Sequence, residues 1–258
     1  MDERFSRTEL LLGPDNLKKL ASAKVAVFGL GGVGGYAAEA LARSGIGAFV
    51  LVDHDTVSVS NINRQILAAS QTVGRYKADL MKERILSINP GAQVTARREF
   101  FLPGNADEFD FTEFSYVVDA VDTVTAKLEI ISRAKLAGVP VISCMGTGNK
   151  LDPTRIRVAD LYETTVCPLA RVMRRECRKR GIESLRVVYS DEEQRKPIRP
   201  VDSSGPGSGE TAESESGLSV PAKRQKDVPG SSAFVPPAAG LTAASAVVRD
   251  LLGLYKEE

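Results

Sequence analysis

The stretch that decides the fold is KVAVFGLGGVGGYAAEALAR, residues 24–43. Its apolar start, residues 24–28, predicts a buried strand, and the small residues that follow predict a helix over residues 32–43. The turn between them carries glycine at four positions: Gly29, Gly31, Gly32 and Gly34. Glycine here allows a tight turn and close approach of the backbone to a phosphate, which then faces the free N–H groups of the helix N-terminus. The stretch therefore predicts a nucleotide-binding strand–turn–helix unit.

Further strands and helices alternate as far as about residue 150. Strands are predicted at residues 48–52, 93–97, 116–118 and 139–143, and helices at 76–88 and 126–137. This alternation is typical of a doubly wound, mostly parallel α/β sheet of the Rossmann-like kind. We expect residues 1–150 to form the nucleotide-binding core.

After residue 150 the pattern changes, which predicts a smaller α/β extension of the same domain over residues 151–258. It contains predicted strands at 155–159 and 185–189, a polar helix at 168–180, and a terminal helix that starts after two prolines and ends near Leu252. Residues 202–232 are rich in Ser, Gly, Pro, Glu and Lys, and we expect a mobile loop there because so little apolar surface could be buried. The apolar run at 233–248 is shorter than the ~20 residues a membrane span needs.

Composition excludes several classes of protein. The 258 residues contain 34 basic and 33 acidic side chains, so net charge alone indicates no polyanionic partner. The three cysteines form no CxxC pair, which argues against a disulfide framework and a four-cysteine zinc site. No GxSxG or GxxxxGK[ST] motif occurs. A reducing cytoplasm is the expected location.

The glycine turn serves both NAD and ATP, and the polar residues that follow it favour ATP. Asp53 ends the second strand nineteen residues beyond Gly34, where a carboxylate can accept hydrogen bonds from a ribose. Arg75 and Lys77 flank the start of the next helix, where cations oppose the helix dipole unless a polyphosphate is bound. Asp122 follows the fourth strand, where a carboxylate could hold magnesium against the phosphates.

These motifs resemble the ThiF/MoeB/HesA adenylyltransferases, which are ubiquitin-activating-like enzymes. GLGGVG, Asp53, NINRQ, Lys77 and DAVD match that family in order and spacing over residues 5–150. The resemblance implies ATP and magnesium as cofactors, with a carboxylate attacking the α-phosphate to form an acyl-adenylate and pyrophosphate. It assigns these roles: Asp53 to the ribose; Arg64 and Lys77 to the triphosphate; Asp122 to magnesium; Asp55, Asn61 and Gln65 to the pocket.

The second half resembles the family branch called tRNA threonylcarbamoyladenosine dehydratases. The segment CMGTGNKLDPTRIRVADLYETTVCPLARVMRRECRKRGI carries this resemblance, together with RFSRTELLLG and SAFVPPAAGLTAASAVVRDLL. It implies a homodimer that activates the threonyl carboxylate of a modified tRNA adenosine and then closes a ring. A monovalent cation, sodium or potassium, and sulfur-relay proteins are further possibilities in this family.

The helix over residues 168–180 has a basic face. At about 100° per residue, five cations fall on one side of it, namely Arg171, Arg174, Arg175, Arg178 and Lys179. Such a stripe suits an RNA backbone, and Arg195, Lys196 and Arg199 could extend it. A solvated helix face with no ligand is the alternative.

Two other functions stay open, as does the role of one cysteine. The chain could adenylate the C-terminal glycine of a ubiquitin-like sulfur carrier, or it could be a non-catalytic NAD-sensing module. Cys167 lies beside Arg171, where a thiol could be activated for a thioester or persulfide. The cyclisation needs no thiol, however, so we expect Cys167 to be dispensable and Cys144 and Cys177 to be buried.

Overall fold

The computed structural model describes residues 3–198 and 229–254. Within these ranges one mixed sheet carries seven strands: β1 Lys24–Phe28, β2 Ala48–Val52, β3 Gln93–Arg97, β4 Tyr116–Asp119, β5 Val141–Cys144, β6 Ile156–Asp160 and β7 Arg186–Ser190. The α-helices are α1 Ser6–Leu12, α2 Pro14–Ser22, α3 Gly34–Arg43, α4 Lys77–Ile88, α5 Val124–Leu136, α6 Pro168–Lys179 and α7 Val235–Leu252. The predicted mobile loop, 202–232, lies outside the described residues except for 229–232.

The strand order is β3-β2-β1-β4-β5-β7-β6. All neighbours are parallel except β6 and β7, which pair antiparallel at one edge. The predicted Rossmann-like doubly wound sheet is therefore confirmed. From β1 the chain winds outward through β2 and β3, then crosses back to β4 on the other side of β1. Ligands of such sheets bind at this switch point, beyond the carboxyl ends of the strands.

Two apolar layers cover the sheet because successive side chains of a strand point to opposite faces. Val25 and Val27 of β1 face a core shared with α3, α4 and α7. Ala26 and Phe28 face a second core, which holds α5, α6 and the phenylalanines that precede β4. The predicted extension strands continue the main sheet, since β7 pairs with β5.

The terminal helix begins earlier than predicted. Pro236 and Pro237 lie inside the first turn of α7, where a missing N–H is tolerated because that group has no intrahelical partner. The helix packs mainly on α3, and a Cβ atom at Gly240 would overlap the Val33 carbonyl oxygen. Within residues 3–198 and 229–254, no helix is long and apolar enough to cross a membrane.

Candidate nucleotide site

A cavity of about 510 Å³ lies at the switch point of the sheet. Its wall follows the carboxyl ends of β1, β2, β4 and β5, with the first residues of α7 on one side. This volume is in the range of small-molecule and cofactor sites.

The glycines of the turn divide into two roles. Gly29 has φ +85°, and a Cβ atom there would stand 2.7 Å from the Ala120 carbonyl oxygen. A Cβ at Gly34 would overlap the Gly29 carbonyl oxygen, so both residues are needed for packing of the backbone. Gly31 is different, because a Cβ there would point into the cavity, 3.8 Å from Gln65 Nε2. Gly31 therefore leaves backbone open to a ligand.

Asp53 ties the glycine turn to the end of β2. One carboxylate oxygen accepts the Leu30 N–H at 2.6 Å and the other accepts the Asp55 N–H at 2.8 Å. A carboxylate has about four acceptor positions, so each oxygen keeps one acceptor position beyond these bonds. The side chain is 8% exposed and lines the cavity.

Two of the three cations predicted near phosphate, Arg64 and Lys77, line the cavity. Lys77 is buried, and its ammonium pairs with Asp55 at 2.7 Å. Arg64 is half-buried and donates to the Ser60 carbonyl at 3.0 Å and the Asn63 side chain at 2.9 Å. Arg75, the other cation expected near phosphate, is not part of the lining and pairs with Glu83 at 2.5 Å.

One buried acceptor in this cavity has no partner. Gln65 is 7% exposed, and its Oε1 makes no hydrogen bond. An unpaired buried acceptor costs about 1–3 kcal/mol, which a donor group on a ligand would relieve. Nearby Asn61 accepts the Ser58 N–H at 3.1 Å, so part of its role is to shape the loop.

The two aspartates after β4 differ in environment. Asp122 is exposed at the cavity, and its one described hydrogen bond comes from the Thr123 hydroxyl at 3.2 Å. Asp119 is fully buried and pairs with Lys127 at 3.0 Å. Of these two aspartates, only Asp122 exposes its carboxylate to the cavity.

Ten of the eleven residues that the sequence marked for the nucleotide meet in this cavity: Gly29, Gly31, Gly32, Asp53, Asp55, Asn61, Arg64, Gln65, Lys77 and Asp122. Gly34 lies behind the wall. Sequence reasoning missed a further set that also lines the cavity: His54, Glu99, Phe100, Phe101, Thr147, Gly148, Leu169, Pro229, Gly230, Ser231 and Pro236. Phe100 and Phe101 follow β3, so their place after a parallel strand was the available signal.

The segment 229–232 is held against the cavity by two asparagines. Asn149 accepts the Gly230 N–H at 2.7 Å and donates its own N–H to the Gly230 carbonyl at 2.8 Å. Its φ of +61° is one that asparagine tolerates better than most residues. Asn63 donates to the Ser231 carbonyl at 3.0 Å. Asn149 and Gly230 are 81 residues apart and Asn63 and Ser231 are 168 apart, so no local sequence pattern could predict these contacts.

The basic helix α6 is only partly available to a ligand. Arg174 is half-buried and donates to the Thr164 carbonyl at 2.8 Å and to the Thr164 hydroxyl, so it does not belong to the exposed stripe that the helical wheel predicted. Arg178 lies over the Tyr162 ring, 5.0 Å from its centroid.

Two further cations of α6, Arg175 and Lys179, surround one carboxylate together with Arg180, the residue after the helix. Hydrogen bonds from Lys179, Arg175 and Arg180 lower the pKa of Glu176 to about 2. Arg171 is exposed and makes no described side-chain bond, and its neighbour Leu169 lines the cavity. The basic face of α6 still carries more cations than carboxylates. Fewer of these cations are free of protein partners than the helical wheel predicted.

All three cysteines are buried and free. Burial raises the pKa of Cys144 to about 12 and that of Cys177 to about 11. Cys167 precedes the first turn of α6 and is 3% exposed. The prediction that Cys144 and Cys177 are buried is confirmed.

A model of one protein family matches almost the entire chain, namely that of the ThiF family over residues 5–257. The chain belongs to the ThiF family. The resemblance to ThiF proteins found in the sequence is thereby confirmed, and the switch-point cavity is the candidate nucleotide site of a ThiF protein.

Individual ThiF proteins match over nearly their whole length. The tRNA threonylcarbamoyladenosine dehydratase of Bacillus subtilis is 42% identical over 256 residues, covering 98% of this chain and 96% of the relative. Crystal structures of the Escherichia coli tRNA N6-threonylcarbamoyladenosine dehydratase, TcdA, include complexes with AMP and with ATP. The AMP complex superposes with a TM-score of 0.82 at 34% identity, covering 98% of this chain and 95% of that one.

Proposed function

We propose that this ThiF protein catalyses the ATP-dependent dehydration of threonylcarbamoyladenosine in the anticodon loop of tRNA, a ligase-type cyclisation through an acyl-adenylate. The observation that carries the proposal is the gathering of the predicted nucleotide residues in one cavity of a chain 42% identical to a dehydratase of that name. The likeness to an E. coli protein crystallised with ATP supports ATP as the nucleotide.

The cavity suits ATP in shape and chemistry. The open backbone at Gly31 and the N-terminus of α3 offer N–H groups to phosphate. Asp53 has acceptor positions for a ribose. The unpaired Gln65 Oε1 can accept a hydrogen bond from a donor group of the ligand.

The reaction proceeds in two displacements. The threonyl carboxylate oxygen attacks the α-phosphorus of ATP, and the bond to the bridging oxygen breaks as pyrophosphate leaves. A nucleophile within the same modified adenosine then attacks the acyl carbon, loses its proton to solvent, closes the ring and expels AMP, which carries away the carboxylate oxygen. The net change is loss of one water from the nucleoside.

The chain contributes position and charge. Arg64 and Lys77 would neutralise charge that develops on the phosphates, which is where preorganised cations act most strongly on a barrier. Lys77 would exchange its partner Asp55 for phosphate as the nucleotide enters. Asp122 is the carboxylate suited to magnesium, which would draw charge from the phosphate oxygens when bound.

Magnesium has a second candidate position. Ligand atoms of Asp53, His54 and Asp55 lie within 4.8 Å of one another. Two of these side chains are already engaged, Asp53 by two backbone N–H groups and Asp55 by Lys77. We therefore favour Asp122.

For tRNA we propose the exposed side of α6, with Arg171 beside the cavity mouth and Arg175, Arg178 and Lys179 further along. Loss of one phosphate contact should lower the slope of log affinity against log salt by a little under one unit.

A homodimer, a monovalent cation and sulfur-relay partners remain predictions from the family resemblance.

Mass spectrometry of tRNA nucleosides tests the proposal. Purified protein is incubated with ATP, magnesium and tRNA that carries threonylcarbamoyladenosine, and the nucleoside should lose the mass of one water while AMP accumulates. Asp122→Asn and Arg64→Ala should abolish or strongly reduce this conversion and leave the fold intact.

Two outcomes would replace the proposal. Unchanged tRNA together with adenylation of a sulfur carrier ending in Gly-Gly would favour that branch, whose E. coli ThiS adenylyltransferase is 35% identical over 152 residues. Calorimetric binding of NAD with no heat from ATP would favour a sensing module.

A further inference from the structure

A fully buried ionic group lies behind the loop that carries Asp122. We call it the Lys127 cluster: Lys127, Asp119 and Ser143, each 0% exposed. The Lys127 ammonium is 3.0 Å from Asp119 Oδ2, and the Ser143 hydroxyl donates to the same oxygen at 2.5 Å.

Stability does not explain this cluster. A buried ion pair is often no more stabilising than an apolar pair of equal volume, since both charges lose their hydration. Lys127 also lies in the first turn of α5, where the helix dipole disfavours a cation. A second hydrogen bond of the Lys127 ammonium indicates a role other than stability.

That contact is with the backbone of Val121, the residue before Asp122. Lys127 Nζ donates to the Val121 carbonyl at 3.0 Å, and Asp119 Oδ1 accepts the Val121 N–H at 3.3 Å. The Lys127 cluster therefore hydrogen-bonds both the backbone N–H and the backbone carbonyl of Val121.

The opposite side of the same loop rests on the glycine turn. The Ala120 N–H donates to the Phe28 carbonyl at 2.8 Å, and its own carbonyl lies where a Cβ atom at Gly29 would come within 2.7 Å. Ala120 is thus fixed by the glycine turn and Val121 by the Lys127 cluster. Asp122 comes next, with its carboxylate exposed in the cavity.

We propose that Lys127 is a positioning residue that fixes the Asp122 carboxylate for a divalent cation on the nucleotide phosphates. The inference rests on the proposed function, in which Asp122 holds magnesium. Lys127 reaches neither nucleotide nor metal and acts through the Val121 carbonyl. A metal such as magnesium demands near-ideal geometry, so a loosened ligand loses affinity even when its charge is retained.

The test compares two variants that share Asp119→Asn and differ at position 127, where one keeps lysine and the other carries methionine. Asp119→Asn keeps Lys127 and its bond to the Val121 carbonyl but leaves a buried charge without its carboxylate, so it is compared only where thermal unfolding shows that it is folded, and Ser143→Ala otherwise serves alone. Asp119→Asn combined with Lys127→Met removes both charges together, which avoids an uncompensated buried ion, and also removes the donor. Ser143→Ala is the matched control, because it touches Asp119 and leaves the loop contact in place.

The readout is the ratio of ATP affinity with magnesium to ATP affinity in chelator, measured by calorimetry on the folded protein. The double variant should lose about tenfold in this ratio, comparable to one hydrogen bond from a charged group, with affinity in chelator unchanged. Asp119→Asn and Ser143→Ala should keep the wild-type ratio. If the Met variant does not fold, Lys127→Gln in the same background replaces it, since its amide is one bond too short for Val121.

Each result has a distinct meaning. A wild-type ratio in the double variant, or an equal loss in Asp119→Asn alone, overturns the positioning role. Asp122→Asn separates this from the proposed function: if that variant keeps the full magnesium effect, Asp122 is not the metal ligand and both inferences fall. Loss in Asp122→Asn without loss in the Lys127 variants overturns the positioning role alone.

Discussion

Substitution of Gly31 by alanine should separate ligand binding from folding. Gly31 has no positive φ, and the nearest atom to its added Cβ is Gln65 Nε2 at 3.8 Å. The folded chain can therefore accept the methyl group, and stability should stay level or rise by about 0.4–1 kcal/mol through a less flexible unfolded state. The methyl group would nevertheless occupy space in the cavity where phosphate must approach the backbone.

Gly29→Ala should have the opposite effect. At φ +85° a side chain costs about 1–2 kcal/mol, and the Cβ would be 2.7 Å from the Ala120 carbonyl oxygen. At 2–4 °C per kcal/mol, the backbone cost alone should lower the melting temperature by roughly 2–8 °C, and the contact should lower it further.

The assay is thermal unfolding without ligand, followed by calorimetric titration with ATP. Gly31→Ala should melt like the wild type and bind ATP at least about tenfold more weakly, a change of ~1.4 kcal/mol. Gly104→Ala is the control, because Gly104 is exposed, has no atom within 4 Å of its added Cβ and lies outside the cavity. Wild-type ATP affinity in Gly31→Ala would refute the assignment of this turn to phosphate.

Three further predictions concern the second half of the chain. Arg171→Glu should raise the KM for tRNA without changing the melting temperature, whereas Arg174→Ala should lower that temperature by roughly 4–8 °C, because about 2 kcal/mol of bonding to Thr164 is lost. Cys167→Ser should retain dehydratase activity by nucleoside mass spectrometry; loss of product with ATP binding intact would indicate covalent catalysis. Cys144 and Cys177 should resist iodoacetamide at pH 7.5, because burial keeps both pKa values far above that pH, and should react once the chain unfolds.

The local hydrophobic pattern of the sequence was enough to predict the strands of the sheet. Short apolar runs located β1 and β2 to the residue, and the alternation of residues 93–97 located β3, since these patterns act over a few neighbours. Helix ends were less well predicted: α3 begins at Gly34 rather than residue 32, and α7 begins before its prolines. For α7 the reason is local, since proline is tolerated in a first turn, where its missing N–H has no intrahelical partner.

The same division holds for the site. Parallel strands bring their carboxyl ends to one edge, so Asp53, Lys77 and Asp122 could be placed together from their order along the chain. The sequence did not reveal that Pro236 and residues 229–231 complete the cavity, because those contacts join segments at least 81 residues apart.

The sequence by itself determined which side chains could serve a nucleotide, and the tertiary structure decided which of them are free to do so. A helical wheel places Arg174 with the other cations of α6, because it counts angles about one axis and ignores neighbouring elements. In the folded chain Thr164 takes that guanidinium out of the stripe. Lys127 belongs to no motif that the sequence offered, and only the folded chain brings its ammonium to Asp119 and Val121. The partner of a charged side chain depends on which groups the fold brings next to it, and burial strengthens each such electrostatic contact.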